Sequence, residues 1–248
     1  MDEPRHNPFA SPLAEDAPFP VSETAGAPRA DFYRSTQDLG RKLRVAFGVM
    51  ICLTFAAMAT GAWHIATVAQ TWGQPEMGPA ESADLLVSLL ILVVYIVLVV
   101  MYCKWHYRSY RNLTSFGVED ARYTPGWSVG YYFIPIVSLF KPYRAMKDIY
   151  NGSAGEPVEQ AAGVVAAWWT AFIAMNLIEN GASRMVMRAD TVETIQAAGV
   201  VYLVANAATV IAAFLAIGLI REVDARQRAR GVALGFESPP ADRRFTIE

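Results

Sequence analysis

The sequence predicts an all-α integral membrane protein, a four-helix bundle with a re-entrant or interfacial, proline-kinked helical element between its second and third spans. Three observations carry that expectation. The chain is 54% hydrophobic with a mean hydropathy of +0.24, high for a soluble protein of 248 residues. Its apolar residues are bunched into four nearly uncharged runs, 45–68, 85–102, 161–178 and 197–220. At about 1.5 Å per residue, each run can cross a hydrocarbon core of about 30 Å. Finally, 19 of the 21 lysines and arginines lie before the first run, between the second and third, or after the fourth. An even number of spans puts all three basic segments on one side, and the bias of short loops makes that side cytoplasmic.

Residues 1–31 hold six of the fourteen prolines, several acids and no helical period, and should form a disordered cytoplasmic tail. The membrane domain then covers 32–230, and 231–248 is expected to be a second disordered tail. A charged lead-in, with Arg34, Arg41, Lys42 and Arg44, feeds the first span. The loop after that span has acids only, Glu76, Glu81 and Asp84, and faces outward. Cys52 and Cys103 stand in no metal or redox spacing and read as inert packing thiols.

The second span should continue past the membrane. Lys104, Arg108 and Arg111 recur at i, i+4 and i+7, interleaved with Trp105, Tyr107 and Tyr110, which predicts a basic and an aromatic face in the headgroup zone. Thirteen of the 29 aromatics fall between Tyr102 and Tyr150, more than an interfacial belt usually needs.

The element at 124–150 is apolar in its middle, yet both flanks are basic. A fifth crossing there would strand one basic cluster outside, so the stretch should enter and leave from the cytoplasmic face. Thr124 before Pro125 is a helix start signal. Pro135 should break the helix near Phe133 and Ile134, and Pro142 can open a second helix. That helix places Tyr143, Met146, Ile149 and Tyr150 on one face, with Arg144, Lys147 and Asp148 pointing elsewhere, as in an amphipathic helix lying on a membrane. Asn151-Gly-Ser-Ala-Gly should end it.

Taken together, Trp105-x-x-Arg108-x-x-x-Asn112-Leu113, the run from Tyr123-Thr-Pro-Gly-Trp through Ile-Pro-Ile to Lys-Pro-Tyr-Arg-Ala-Met, and Trp168-Trp169 with Asn176 resemble the domain of unknown function 4328 family of bacterial membrane proteins. The resemblance extends from the first span to the basic tail 221–230, where Gln227 and Arg228 match the family's ending. Tyr131-Tyr132 stands where members usually show Trp-Trp, and Ser138 where Asn is common. The resemblance implies architecture and a bacterial membrane location. It brings no reaction and no catalytic residues.

Two groups of residues could carry function. At the cytoplasmic face, Trp105, Arg108, Arg111, Asn112, Pro125, Gly126, Trp127, Pro135, Lys141, Pro142, Tyr143, Arg144 and Lys147 could bind anionic lipid or a partner. The competing reading is ordinary positive-inside anchoring with an aromatic belt. Within the membrane, Asn176, Glu179 and Asn180 share a helix face, and with His64 and Asn206 could form a polar cluster near the outer leaflet. That cluster is either an ion relay around Glu179 or interhelical hydrogen-bond glue.

No nucleophile, metal or phosphate-loop motif is present, and His6, His64 and His106 fall at three separate depths, so neither a reaction nor a cofactor is expected. Nucleic acid is excluded as a partner because the cations hug the membrane. The expectation is therefore a non-catalytic binding or scaffolding module of the bacterial inner membrane, with both termini cytoplasmic, engaging anionic lipid, a protein partner or a second copy. The alternative is a small transporter or channel with a path near the re-entrant element and Glu179.

Overall fold

The computed structural model describes residues 28–239. Among them the chain is all-helical: α1 (Gln37–Thr71), α2 (Pro79–Ser115), α3 (Pro125–Gly130), α4 (Lys141–Ala154), α5 (Gly163–Val186) and α6 (Val192–Ala233). Local chemistry sets most of the helix ends. Pro79 opens α2, and Thr124 Oγ1 accepts from Trp127 N at the start of α3. Thr191 and Thr194 cap α6 reciprocally, each hydroxyl accepting the other's backbone N–H. α4 stops at Gly155, whose φ of 79° lets the chain turn out while Glu156 N donates to Asn151 O at 3.0 Å.

α1, α2 and α6, of 35, 37 and 42 residues, are long and apolar enough to cross a membrane. At about 1.5 Å per residue they measure roughly 50 to 65 Å, so each overshoots a 30 Å core by about 20 Å or more. α5 has 24 residues, and Asn176, Glu179 and Asn180 interrupt its apolar run. The long helices pack as a row, α2 on α1, α1 on α6 and α6 on α5, without a comparable α2–α5 interface. α4 closes one end of the row by packing on α2, α5 and α6. That end collects the N-terminus of α1 and the C-termini of α2 and α6, and is called the basic end below.

The overshoot is where the core lies. Leu43, Trp105, Tyr110, Leu113, Phe116, Met146, Ile149, Leu219 and Ile220 are all nearly solvent-free, and all belong to the basic end. This corrects two expectations. Trp105 and Tyr110 turn inward, so only Tyr107 of that trio remains exposed. α4 is no surface helix: Pro142, Met146, Ile149 and Tyr150 are buried as one face, but so is Asp148, at 0% exposure. The physical reason is that the projecting ends of α2 and α6 supply protein for α4 to pack against. Cys52, expected to pack, lies on the exposed side of α1, while Cys103 is half-buried.

Segment 125–140 breaks where proline dictates. After α3 and a 3-10 turn, Tyr131–Phe133, Ile134 is extended (φ −100°, ψ 116°) ahead of Pro135. Ile136 then takes φ 66° in a γ-turn closed by Val137 N donating to Pro135 O at 2.7 Å, a strained conformation for a β-branched residue. A second 3-10 turn, Val137–Leu139, leads into α4. The segment wedges between the two ends of the row. Tyr132 OH meets Tyr102 OH at 2.7 Å on the α2 side, and Trp169 Nε1 of α5 donates to Leu139 O at 3.1 Å. Phe133, Ile136 and Phe140 point away from the protein.

The expected tails fall largely outside the described residues. Within them, Phe236 packs on Tyr33, whose ring also meets Phe116, and Tyr33 OH donates to Glu237 at 2.7 Å.

Candidate functional site

Two kinds of polar site occupy the basic end, and both are built from helix overshoots. The first is a buried network centred on α6. Asp224 accepts hydrogen bonds from Trp105 Nε1 at 2.9 Å, Thr36 Oγ1 at 2.9 Å and Arg44 Nη1 at 2.7 Å, which ties α2 and both sides of the α1 entry to α6. The Thr36 hydroxyl, spent here, does not cap α1. Gly40 is the close-approach residue of that junction, because a Cβ there would overlap the Asp224 carboxylate.

One turn further along α6, Gln227 donates to Ser109 O and Ser153 Oγ and accepts from Asn112 Nδ2 at 2.8 Å. Asn112 in turn brackets the backbone of Arg34, accepting its N–H at 3.2 Å and donating to its carbonyl at 2.9 Å. On α4, Asp148 accepts from Tyr110 OH at 3.2 Å and lies 3.4 Å from Arg122. Its Oδ1 has the Arg122 charge nearby but no hydrogen bond. Burial therefore dominates and raises its carboxyl to about 6, against the opposing pull of Arg122. Arg226 pairs with Glu222 and Glu156 and lies over the Tyr150 ring, and Arg230 donates to Gly152 O and Phe116 O. These cations are spent on internal acceptors.

The second site is open. A cavity of about 810 Å³ lies between the N-terminal turns of α1, the C-terminal overshoot of α2, and α3. Its lining includes Arg34, Lys42, Lys104, Arg108 and Arg111, with Asp38 as the single acid. Asp38 is already engaged by Arg41 and Lys42, at 2.7 Å each. Among the described residues Arg34, Lys104, Arg108 and Arg111 have no carboxylate partner. Arg108 reaches only Ser35 O, at 3.3 Å, and Arg111 lies over the Phe32 ring. Leu39, Cys103, Tyr107 and Val129 give the same cavity an apolar side. An uncompensated cluster of guanidinium and ammonium groups beside apolar side chains suits an amphiphile with an anionic head.

The residues expected at the cytoplasmic face separate accordingly. Arg108, Arg111, Asn112 and Gly126 line the cavity, although the Asn112 amide is committed to Arg34 and Gln227. Trp105 and Pro142 are buried as structural residues. Lys141 lies over Tyr123 and Tyr131, Lys147 donates to Glu159 O, and Arg144 is exposed, all on α4 and away from the cavity lining. Pro125, Trp127, Pro135 and Tyr143 also lie outside the lining, with Trp127 exposed and stacked on Tyr131.

In the far half, Glu179 accepts from Thr209 Oγ1 at 3.0 Å, while Asn176 and Asn180 donate to carbonyls of their own helix. Among the described residues no hydrogen bond joins His64 or Asn206 to Glu179. Asp84, read as a loop acid, sits in α2 and accepts from Thr60 at 2.8 Å.

Sequence reasoning missed Asp224 and the lead-in cations. An acid four residues beyond an apolar run is a readable hint of buried pairing, but Arg34 and Lys42 reach the cavity only through helix packing. His106, fully buried among Tyr102, Tyr110 and Tyr132 with both ring nitrogens unbonded, gave no signal.

Neither the curated proteins nor the solved structures yield a match to this chain. A family model does match, described as a domain of unknown function (DUF4328), over residues 70–225. The match begins at the last turn of α1, so the lead-in half of the cavity lies outside it, whereas the α2 and α3 half and Asp224 lie within. With more than half of its length matched, the chain belongs to the DUF4328 family.

Proposed function

We propose that this protein is a four-span, non-catalytic module of the bacterial inner membrane, and that the cavity between α1 and α2 holds an anionic phospholipid head at the cytoplasmic face. The observation that carries the reading is the cavity's charge, five cations against one acid that is already engaged. Its depth agrees, since Lys104 comes two residues after the apolar run of α2 ends. A phosphate there would meet Lys104, Arg108 and Arg111 while acyl chains lie along the apolar flank of α2, where Val93, Val97 and Val100 are exposed.

Chain direction supports α5 as the fourth span. α4 packs at the basic end, and α6 runs from the far end back to it, so the chain must travel outward between them. α5 is the helix that does so, and its roughly 36 Å suffices at about 1.5 Å per residue. Segment 125–140 leaves from the basic end and returns to it, with Phe133, Ile136 and Phe140 turned outward as a shallow re-entrant or interfacial wedge would have them. Basic residues on all three inward segments make that side cytoplasmic. The alternative of a transport path would run past Glu179, which among the described residues accepts from Thr209.

The test is binding in nanodiscs. Phosphatidylglycerol should bind in preference to phosphatidylcholine, and R34Q/K104Q/R108Q/R111Q should remove that preference. Equal affinity for the two lipids in the unaltered protein would refute the reading.

A further inference from the structure

We infer that the acidic segment 1–27 docks over the basic cavity and competes with anionic lipid for it. The consequence for lipid rests on the function proposed above, whereas the docking itself does not. Three observations converge. The cavity carries unspent positive charge, as described. Segment 1–27 carries the complement: Asp2, Glu3, Glu15, Asp16 and Glu23 against Arg5 alone among lysines and arginines.

The third observation is where that segment joins the body. Arg29 N donates to Ser115 O at 2.9 Å, at the C-terminal end of α2, and Phe32 and Arg34, a few residues on, already line the cavity. The chain therefore enters the described residues beside the rim. From Pro28 back to Asp16 the chain can span up to about 40 Å, at roughly 3.3 Å per residue, ample to reach Lys42 or Lys104.

The stretch Leu13-Ala14-Glu15-Asp16-Ala17-Pro18-Phe19 has the composition the cavity calls for, two carboxylates between apolar side chains. Two acids suit guanidinium and ammonium groups, with which carboxylates form charge-assisted bonds, and Leu13 and Phe19 suit the apolar side formed by Leu39 and Val129. Tethering makes the encounter intramolecular, with an effective concentration in the millimolar range, so even weak docking occupies the site until lipid displaces it.

The experiment is zero-length carbodiimide cross-linking of the full chain in nanodiscs, with peptide mapping. Asp38 to Lys42, 2.7 Å apart, is the internal positive control. Amide links from Glu15 or Asp16 to Lys104, the lining lysine that the control leaves free, are expected, and should fade at high salt. Failure of those links while the control forms would overturn the docking. In parallel, the full chain carrying D2N/E3Q/E15Q/D16N/E23Q should bind phosphatidylglycerol at least threefold more tightly, and unchanged affinity would overturn the competition. If instead the cross-links form but the cavity variants of the preceding section bind lipid normally, the lipid reading fails and the docking stands.

Discussion

Two sets of arginines share one end of this molecule and do opposite work. Arg44, Arg122, Arg226 and Arg230 each face an internal acceptor: Asp224, Asp148, the Glu222 and Glu156 pair, and the carbonyls of Gly152 and Phe116. Arg34, Arg108 and Arg111, with Lys104, face a cavity instead. The difference lies in what the neighbouring helix presents. Where α4 and α6 pass, carboxylates or helix-end carbonyls meet the cation, and it becomes part of an internal network. Where α1 and α2 diverge toward α3, nothing acidic is brought except Asp38, and the charge remains available. A positive-inside count sees one population, while the packing separates structural cations from those free to bind.

Several substitutions would sharpen or break that division. The largest effect is expected at the hub. Asp224→Ala removes the acceptor for Arg44, Trp105 and Thr36 at once. Breaking a buried pair of this kind costs about 3 to 5 kcal/mol, which chemical unfolding in detergent would detect. Next is Gly40→Ala, whose methyl group must displace the Asp224 carboxylate, at a cost of about 2 kcal/mol by the same assay. Comparable stability of either variant and the parent would mean that the network does not hold the basic end together.

A pH effect follows from Asp148. Its carboxyl is raised to about 6 in the folded chain against an ordinary value of 3.8, so the folded state holds the proton more tightly between those limits. This group's contribution to stability is fullest below pH 3.8 and is lost as pH rises through about 6. Asp148→Asn should therefore flatten the stability profile between pH 4 and 7, and an unchanged slope would contradict the assignment. The smallest effect on stability is expected in the cavity, where Arg108→Gln with Arg111→Gln should change it by no more than about 0.5 kcal/mol, as for other surface sites.

Helical class, the helix break at Pro135 and the stop at Gly155 were legible because each depends on local sterics: a missing N–H, a pre-proline clash, a glycine at positive φ. The place of the aromatic surplus was not. Trp105 and Tyr110 read as a belt because sequence spacing gives a helix face without saying what the face meets, and here α4 and α6 meet it. The same blindness put Asp148 on the outside. Of the candidate site, Arg108 and Arg111 were legible from their i, i+3 spacing beyond an apolar run. Arg34 and Lys42 were not, since they arrive from the lead-in some 70 residues away in the chain. Around Glu179 the shared helix face was legible but its bonding was not: Asn176 and Asn180 line up with Glu179, yet each amide donates to its own helix, while Thr209 of α6 donates to Glu179.

The division between structural and available cations is tested most directly by measuring bound phosphatidylglycerol per protein and unfolding free energy together, in Arg108→Gln/Arg111→Gln and in Arg44→Gln. Each interfacial cation is worth about 1 kcal/mol toward an anionic headgroup, so the cavity pair should lose about 2 kcal/mol of lipid affinity, roughly thirtyfold, with stability intact. Arg44→Gln should keep its lipid and lose about 2 kcal/mol or more of stability, because Asp224 is left buried without its counter-charge. Equal lipid loss in both variants, or lipid loss only in Arg44→Gln, would contradict the account.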